Sequence, residues 1–206
     1  MTDHQDLIHD LARQIQGEIR FDKLSRLLYS TDASIYQIEP VGVVLPRHKD
    51  DVIATIETAA KHGVAVLPRG GGSSLAGQAV GHAIVLDFSK YMNAMVQVNR
   101  EERWARVQPG ITLDVMNRAL AAHGLKFGPD PSSGNRATVG GTLGNNGTGA
   151  HSILYGMSVK QTLAAETVLA DGTVARFGAI DNAQIKGLAG GSGLLEIGRA
   201  SCRERV

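Results

Sequence analysis

Pro68-Arg69-Gly70-Gly71-Gly72-Ser73-Ser74-Leu75-Ala76-Gly77-Gln78 follows directly on Val64-Ala65-Val66-Leu67, a short apolar run that reads as a buried strand. Three adjacent glycines allow positive φ and let a ligand approach the backbone without Cβ interference. Consecutive amides that face one concavity bind anions, and Ser73 and Ser74 add hydroxyl donors. Arg69 sets a fixed positive charge where the loop begins. The spacing fits neither familiar phosphate motif. A dinucleotide fingerprint starting at Gly70 needs glycine at 75, where Leu75 stands; Gly72 and Gly77 have the P-loop separation, but Gln78 replaces its lysine. Taken alone, the loop reads as an anion site, with a tight surface turn that holds no ligand as the lesser alternative.

Its surroundings are α/β. Val41 to Pro46 is a strand signal; a helix starts at Asp50 or Asp51, with Val52, Ile53, Ile56, Ala59 and Ala60 on one face and Gly63 as its stop. With Val64 to Pro68 this makes a βαβ unit, which favours parallel strands. Ala83 to Asp87 is the next strand. Beyond Met92 the pattern changes. Met95 to Val98 and Trp104 to Val107 alternate around a polar turn and predict an antiparallel hairpin. Thr112 caps a helix running to Gly124, Thr162 to Leu169 is a strand, and the Asp171-Gly172 turn leads to Val174 to Phe177. Leu7, Ile8, Leu11 and Ile15 form one helical stripe, with Asp3 as N-cap and Gly17 as stop. The expected fold is α+β with two lobes: a small parallel βαβ lobe over about 29–90 and a larger mixed, antiparallel lobe over about 91–195. Residues 1–28 form a helical segment before them, and the lobe boundary is expected near Ser89 to Asn93.

Gly128-Pro129-Asp130-Pro131-Ser132-Ser133-Gly134-Asn135-Arg136-Ala137-Thr138-Val139-Gly140-Gly141-Thr142-Leu143-Gly144-Asn145-Asn146-Gly147-Thr148-Gly149 reads as one long glycine-rich connection. Loops of that length inside a compact domain are functional or disordered. Two prolines and several Asx and serine turn formers pre-set this backbone, and Val139 and Leu143 anchor it, which disfavours disorder. Two amide-rich loops beside strands could hold an elongated diphosphate from opposite sides.

Composition narrows the classes. In 206 residues, 43% are hydrophobic and 20% charged, the formal net charge is +1, and 4% are aromatic, so neither a nucleic-acid partner nor a polyanion is expected. Glycine accounts for 25 residues, above its usual share of roughly 7%. One cysteine excludes a disulfide framework or multi-thiolate metal site within this sequence, and no metal-ligand spacing stands out. No run reaches the roughly 20 apolar residues of a membrane span, and the polar N-terminus does not read as a signal peptide, so a cytoplasmic protein is expected. After Leu195 the hydrophobic pattern ends. Ile197 to Val206 matches one reading frame of a common sequencing adapter, so native sequence is expected to stop near Leu195 and the chain to be truncated; a solvated basic tail is the alternative. On the adapter reading, Cys202 is not native.

In combination, Pro68 to Ser74, Gln108-Pro109-Gly110, Pro129 to Ser133, Thr138-Val139-Gly140-Gly141 and Tyr155-Gly156 resemble the FAD-binding domain of the vanillyl-alcohol oxidase/p-cresol methylhydroxylase flavoprotein superfamily, over about Tyr29 to Phe177. Within it the chain looks most like bacterial dehydrogenases of D-2-hydroxy acids. Leu28 to Ser34 and Asp87 to Asn93 are most similar to the large fusions with a C-terminal iron–sulfur module. The resemblance implies FAD between the two lobes. Arg69, Gly70, Gly71, Gly72, Ser73 and Ser74 would wrap its pyrophosphate, with Gly77 and Gln78 completing the loop. Pro131, Ser132, Ser133, Thr138, Gly140 and Gly141 would approach from the other lobe; the stretch Asn145 to Ser152, with Asn145, Gly149, His151 and Ser152 as its site residues, would lie near the ribityl chain and flavin, and Pro109 and Gly110 by the adenine. Some members attach FAD through a histidine in the first loop; Ser73 and Ser74 stand there, so non-covalent FAD is implied.

The implied reaction is oxidation of a small D-2-hydroxy acid by hydride transfer to flavin N5, with an unassigned electron acceptor. No catalytic residue is assigned, because the base and the carboxylate-binding cations come largely from the substrate domain that follows this segment in the family. Any iron–sulfur cluster would sit further downstream, and the full-length protein could associate peripherally with a membrane. Two other readings stay open: a flavin reductase resembling the enolpyruvyl-UDP-sugar enzymes, and a non-catalytic nucleotide-binding module. His151 serves equally well as a loop-packing residue, while His48, His62, His82 and His123 read as surface.

Overall fold

The computed structural model describes residues 4–177 and, as backbone, 194–201. Helix α1 (Gln5–Gln14) buries Leu7 and Leu11 against α3 (Lys49–Lys61). Its N-cap is His4; Asp3, the expected cap, lies outside the described residues. Strand β1 (Glu18–Arg20) interrupts the segment expected to be helical, and helix α2 (Lys23–Leu28) resumes it, its N-cap Asp22 accepting the Ser25 amide at 2.9 Å.

Strands β2 (Gly42–Leu45), β3 (Val66–Arg69) and β4 (Ile84–Asp87) join β1 in a four-stranded sheet of order β1-β2-β4-β3. The expected parallel pairing is present, with β4 inserted between the two strands of the βαβ unit: β2 and β3 each pair with β4, and β1 adds an antiparallel edge. Strands β2 and β4 are buried throughout, and a core of Val44, Ile84, Leu86, Val52, Ile56 and Ala59 lies between the sheet and α3. Buried Asp51 fixes the junction: its carboxylate accepts the amides of Gln16 and Arg47, both at 2.8 Å, from two connections that have no ladder to enter.

The chain leaves this sheet at Asp87 and enters the second at β5 (Met95–Asn99). The expected hairpin pairs β5 with β6 (Trp104–Val107), and Arg103 takes φ 58° in its turn. Helix α4 (Leu113–Ala121) places Leu113, Met116 and Leu120 in a second core with Val107, Phe127 and Val139. The segment read as one long loop contains helix α5 (Val139–Gly144), and helix α6 (Ser152–Tyr155) follows it. Strand β7 (Thr162–Val168) pairs with β8 (Val174–Phe177) across the predicted Asp171-Gly172 turn, where Gly172 has φ 83°. Strand β9 (Leu194–Ser201) runs antiparallel between β6 and β7, giving the order β5-β6-β9-β7-β8. No strand was expected there. The rest of the stretch read as adapter-derived, from Cys202 onward, lies outside the described residues.

Together these elements make an α+β fold of mixed sheets and helices. Lys49 on α3 reaches Glu166 on β7 at 3.0 Å and so ties the two sheets together. Among the described residues no helix is long and apolar enough to cross a membrane.

Candidate functional site: a cleft between two glycine-rich segments

Strand β3 ends at Arg69, and the loop that follows turns across the edge of the sheet. Its glycines meet the second segment directly. A Cβ on Gly70 would lie 2.1 Å from Thr138 Oγ1, and one on Gly71 would lie 2.0 Å from the Arg136 carbonyl oxygen, so only glycine permits this approach. Between the two segments opens a cleft of about 350 Å³. Of the residues singled out from the sequence, Arg69, Gly70, Gly71, Gly72, Ser73, Ser74, Gln78, Pro131, Ser133, Thr138, Gly141 and Asn145 line it.

The backbone N–H groups of Gly71 to Leu75, five in succession, have no acceptor among the described residues. Gly71 and Leu75 are exposed and the three residues between them half-buried, so these donors are open to solvent and free to meet the acceptor atoms of a ligand. Among the described residues no acidic side chain lines the cleft. The arrangement suits an anion that accepts several hydrogen bonds at once.

The side chains need correction. Arg69 does not present its charge to the loop entrance: its Nη1 donates to the Ala79 carbonyl at 2.8 Å and to that of Tyr29 at 3.3 Å, its Nη2 donates to that of Thr31 at 2.8 Å, and its guanidinium lies 5.2 Å from the centre of the Tyr29 ring. Ser74 is also engaged. Its hydroxyl donates to Gln78 Oε1 and accepts the Ala76 and Gln78 amides at 3.3 and 3.2 Å. Behind the loop, burial raises the pKa of Asp32, but hydrogen bonds from Ser34 and Ala79 and the Arg69 charge outweigh it and hold the carboxyl below its ordinary value. Burial and the Asp87 carboxylate, 2.6 Å away, push the Tyr29 phenol up, so it stays protonated.

On the opposite wall, Thr138 caps α5, and its Oγ1 accepts the Gly141 amide at 3.3 Å. The first amides of this short helix are consumed internally, Val139 by the Ile111 carbonyl and Gly140 by that of Pro109. Asn145 closes the helix, its Nδ2 donating to the Gly141 carbonyl at 3.1 Å.

Eight expected site residues are not among those lining this cleft. Gly140 packs on Pro109, and Gly110 sits under the Phe88 carbonyl, where a Cβ would come within 2.0 Å; these are joints between segments. Gly77, at φ 77°, packs beneath Tyr36. Ser132 and Gly149 line a neighbouring depression of about 670 Å³ that shares Pro131, Ser133 and Thr148 with the cleft. Gly149 donates to Ser152 Oγ at 2.9 Å, and His151 Nδ1 lies 3.0 Å from Asp130 Oδ2, with its ring edge-on to Tyr155. The loop-packing alternative for His151 therefore describes its contacts. Conversely, Leu75, Ala76, Ala79, Ala137 and Thr142 line the cleft without having been singled out as site residues, and Gly147 and Thr148, within the Asn145 to Ser152 stretch, line it too. For Thr142 the available signal was its place four residues after the cap Thr138, one turn along the same helix face.

A cleft of this kind, with a free amide run after a parallel strand and a capped, glycine-bearing helix opposite, marks an α+β domain whose cleft suits an anionic ligand. The chain belongs to the FAD binding domain family, whose model matches residues 40–178, and the domain is of the type found in p-cresol-methylhydroxylase-like flavoproteins. It is 40% identical over 174 residues to a D-2-hydroxyglutarate dehydrogenase of Pseudomonas putida, covering 83% of this chain and 17% of that protein. It is 34% identical to its counterpart in Haemophilus influenzae, covering 87% and 18%, and 37% identical to glycolate oxidase subunit GlcD of Bacillus subtilis, covering 80% and 36%. The chain thus spans less than a fifth of the length of those dehydrogenases. Among solved structures, an alkyldihydroxyacetonephosphate synthase superposes with TM-score 0.87 at 22% identity, covering 98% of this chain and 41% of that one; at that identity the likeness is one of fold.

Proposed function

We propose that this chain is the FAD-binding portion of an oxidoreductase that acts on a D-2-hydroxy acid, with the cofactor bound non-covalently between two lobes, each built on one sheet. The observation that carries this reading is the run of unpartnered amides from Gly71 to Leu75, in a cleft whose lining holds no carboxylate. Those amides and the Ser73 hydroxyl would hold the pyrophosphate. Ser133, Thr138, Thr142 and Asn145 would close on it from the other side, and a Cβ at Gly71 would break the contact between the walls. Bound FAD would supply the hydride acceptor for oxidation of the substrate's C2–H bond.

Non-covalent attachment is supported by the lining, which contains no histidine, cysteine or tyrosine among the described residues. The substrate class is supported by the relatives named for 2-hydroxy acids. Among the described residues no acid–base pair lines the cleft, and this chain covers a small fraction of those relatives, so we assign the substrate's base and cations to the remainder of a longer enzyme.

The test is a titration of the purified chain with FAD, followed by flavin absorbance and by backbone amide NMR. Saturable binding with shifts centred on Gly71 to Leu75 is expected. Binding that leaves those amides unmoved would defeat the assignment of the site. In the longer protein, anaerobic D-2-hydroxyglutarate or glycolate should bleach the flavin, and failure of every small D-2-hydroxy acid to do so would overturn the substrate class.

A further inference from the structure

Among the described residues that line the cleft Arg69 is the only charged one, and its placement is unexpected for a phosphate ligand. Three of its contacts are backbone carbonyls. One, Ala79, lies at the far end of the same loop; the other two, Tyr29 and Thr31, belong to the segment behind it. That segment makes two more bonds to the loop: the Ala33 amide donates to the Gly72 carbonyl at 3.1 Å, and Asp32 Oδ2 accepts the Ala79 amide at 3.3 Å. Gly72, at φ 62°, passes so close over the guanidinium that a Cβ there would lie 2.5 Å from Nη2. A planar fork with donors on two nitrogens suits carbonyls diverging from one point; a lysine ammonium on a flexible stem does not reproduce that geometry.

We propose that Arg69 is a positioning residue. Its guanidinium clamps both ends of the glycine loop to residues 29–33, and so holds the amides of Gly71 to Leu75 on one concave face before any ligand arrives. This rests on the reading of the cleft as the FAD site. Preorganisation of this sort raises affinity by lowering the ordering cost on binding. It explains how a loop with three successive glycines, the residue that loses most entropy on ordering, adopts one shape. It also separates two functions a sequence merges: the positive charge shapes the cradle, and the neutral backbone touches the anion.

The clamp and a phosphate contact predict different things. FAD would be titrated into the parent chain, Arg69→Gln and Arg69→Lys, each at low and high salt. A clamp predicts that both variants weaken binding roughly ten- to hundredfold, the cost of losing several charge-assisted hydrogen bonds, with the parent's salt dependence retained. Arg69→Lys that keeps parental affinity, or Arg69→Gln that flattens the salt dependence, would mark a direct charge contact and overturn the proposal. Hydrogen exchange without flavin supplies an independent readout. The Ala33 and Ala79 amides should exchange faster in both variants while the β5–β6 hairpin amides, which report global folding, stay protected. Unchanged exchange at Ala33 and Ala79 refutes the clamp. If the parent binds no FAD, the functional reading fails, yet the exchange result still decides the role of Arg69.

Discussion

The two glycine-rich segments look alike on the page and behave differently in the fold. In the first, five amides in a row, from Gly71 to Leu75, find no acceptor among the described residues. In the second, Gly134, Gly140, Gly147 and Gly149 all donate internally, to Pro131, Pro109, Thr142 and Ser152. There glycine serves close approach: Gly149 lies against the Pro129 and Asp130 backbone and Gly128 against the Tyr155 side chain. Glycine content therefore marks both a loop with open amides and a compact joint, and only the fate of the N–H groups tells them apart.

The sharpest break of that contrast is Gly71→Asp. A Cβ 2.0 Å from the Arg136 carbonyl oxygen separates the walls, and a carboxylate enters the anion cradle, so flavin binding should vanish. Retention of FAD at parental stoichiometry would show that the cradle has no part in binding. Gly140→Ala probes the other segment. Its Cβ would fall 2.8 Å from that of Pro109, an overpacking worth about 1–3 kcal/mol in stability, read by thermal unfolding. The joint reading expects flavin affinity to suffer far less than in Gly71→Asp, and an equal loss would merge the two roles.

The smallest effect belongs to a region outside both segments. Hydrogen bonds from Lys90, Tyr91 and Arg20 hold the Glu18 carboxyl down to about 2, from an ordinary 4.5. A carboxyl depressed in the folded state stabilises the fold above the unfolded value, so that contribution is full above about pH 4.5 and is lost as pH falls towards 2. Glu18→Gln should therefore flatten the acid limb of the stability profile and leave FAD affinity unchanged. An unaltered acid limb would remove Glu18 from the account.

Elements with a strong local signal were legible. The β5–β6 and β7–β8 hairpins and helices α3 and α4 lie where alternation, caps and turn residues put them. Helix α5 was not, because three of its six residues are glycine and its stability comes from burying Val139 and Leu143 and from the Thr138 cap. The insertion of β4 between β2 and β3 also leaves no local trace, since pairing partners are set by tertiary packing. For the site, glycine runs located the cleft, but they could not separate residues that line it from those, such as Gly110, that pack behind it. Nor could spacing reveal that Arg69 turns back on its own loop.

The strand order has a consequence during synthesis. Neither β2 nor β3 pairs with the other, so when Arg69 and its glycines leave the ribosome, the strand that carries them has no ladder to join. Only after Ile84 to Asp87 has emerged can β3 be zipped into register. The glycine loop is thus translated before the strand that anchors it, and a nascent chain paused within that interval should expose it to proteases.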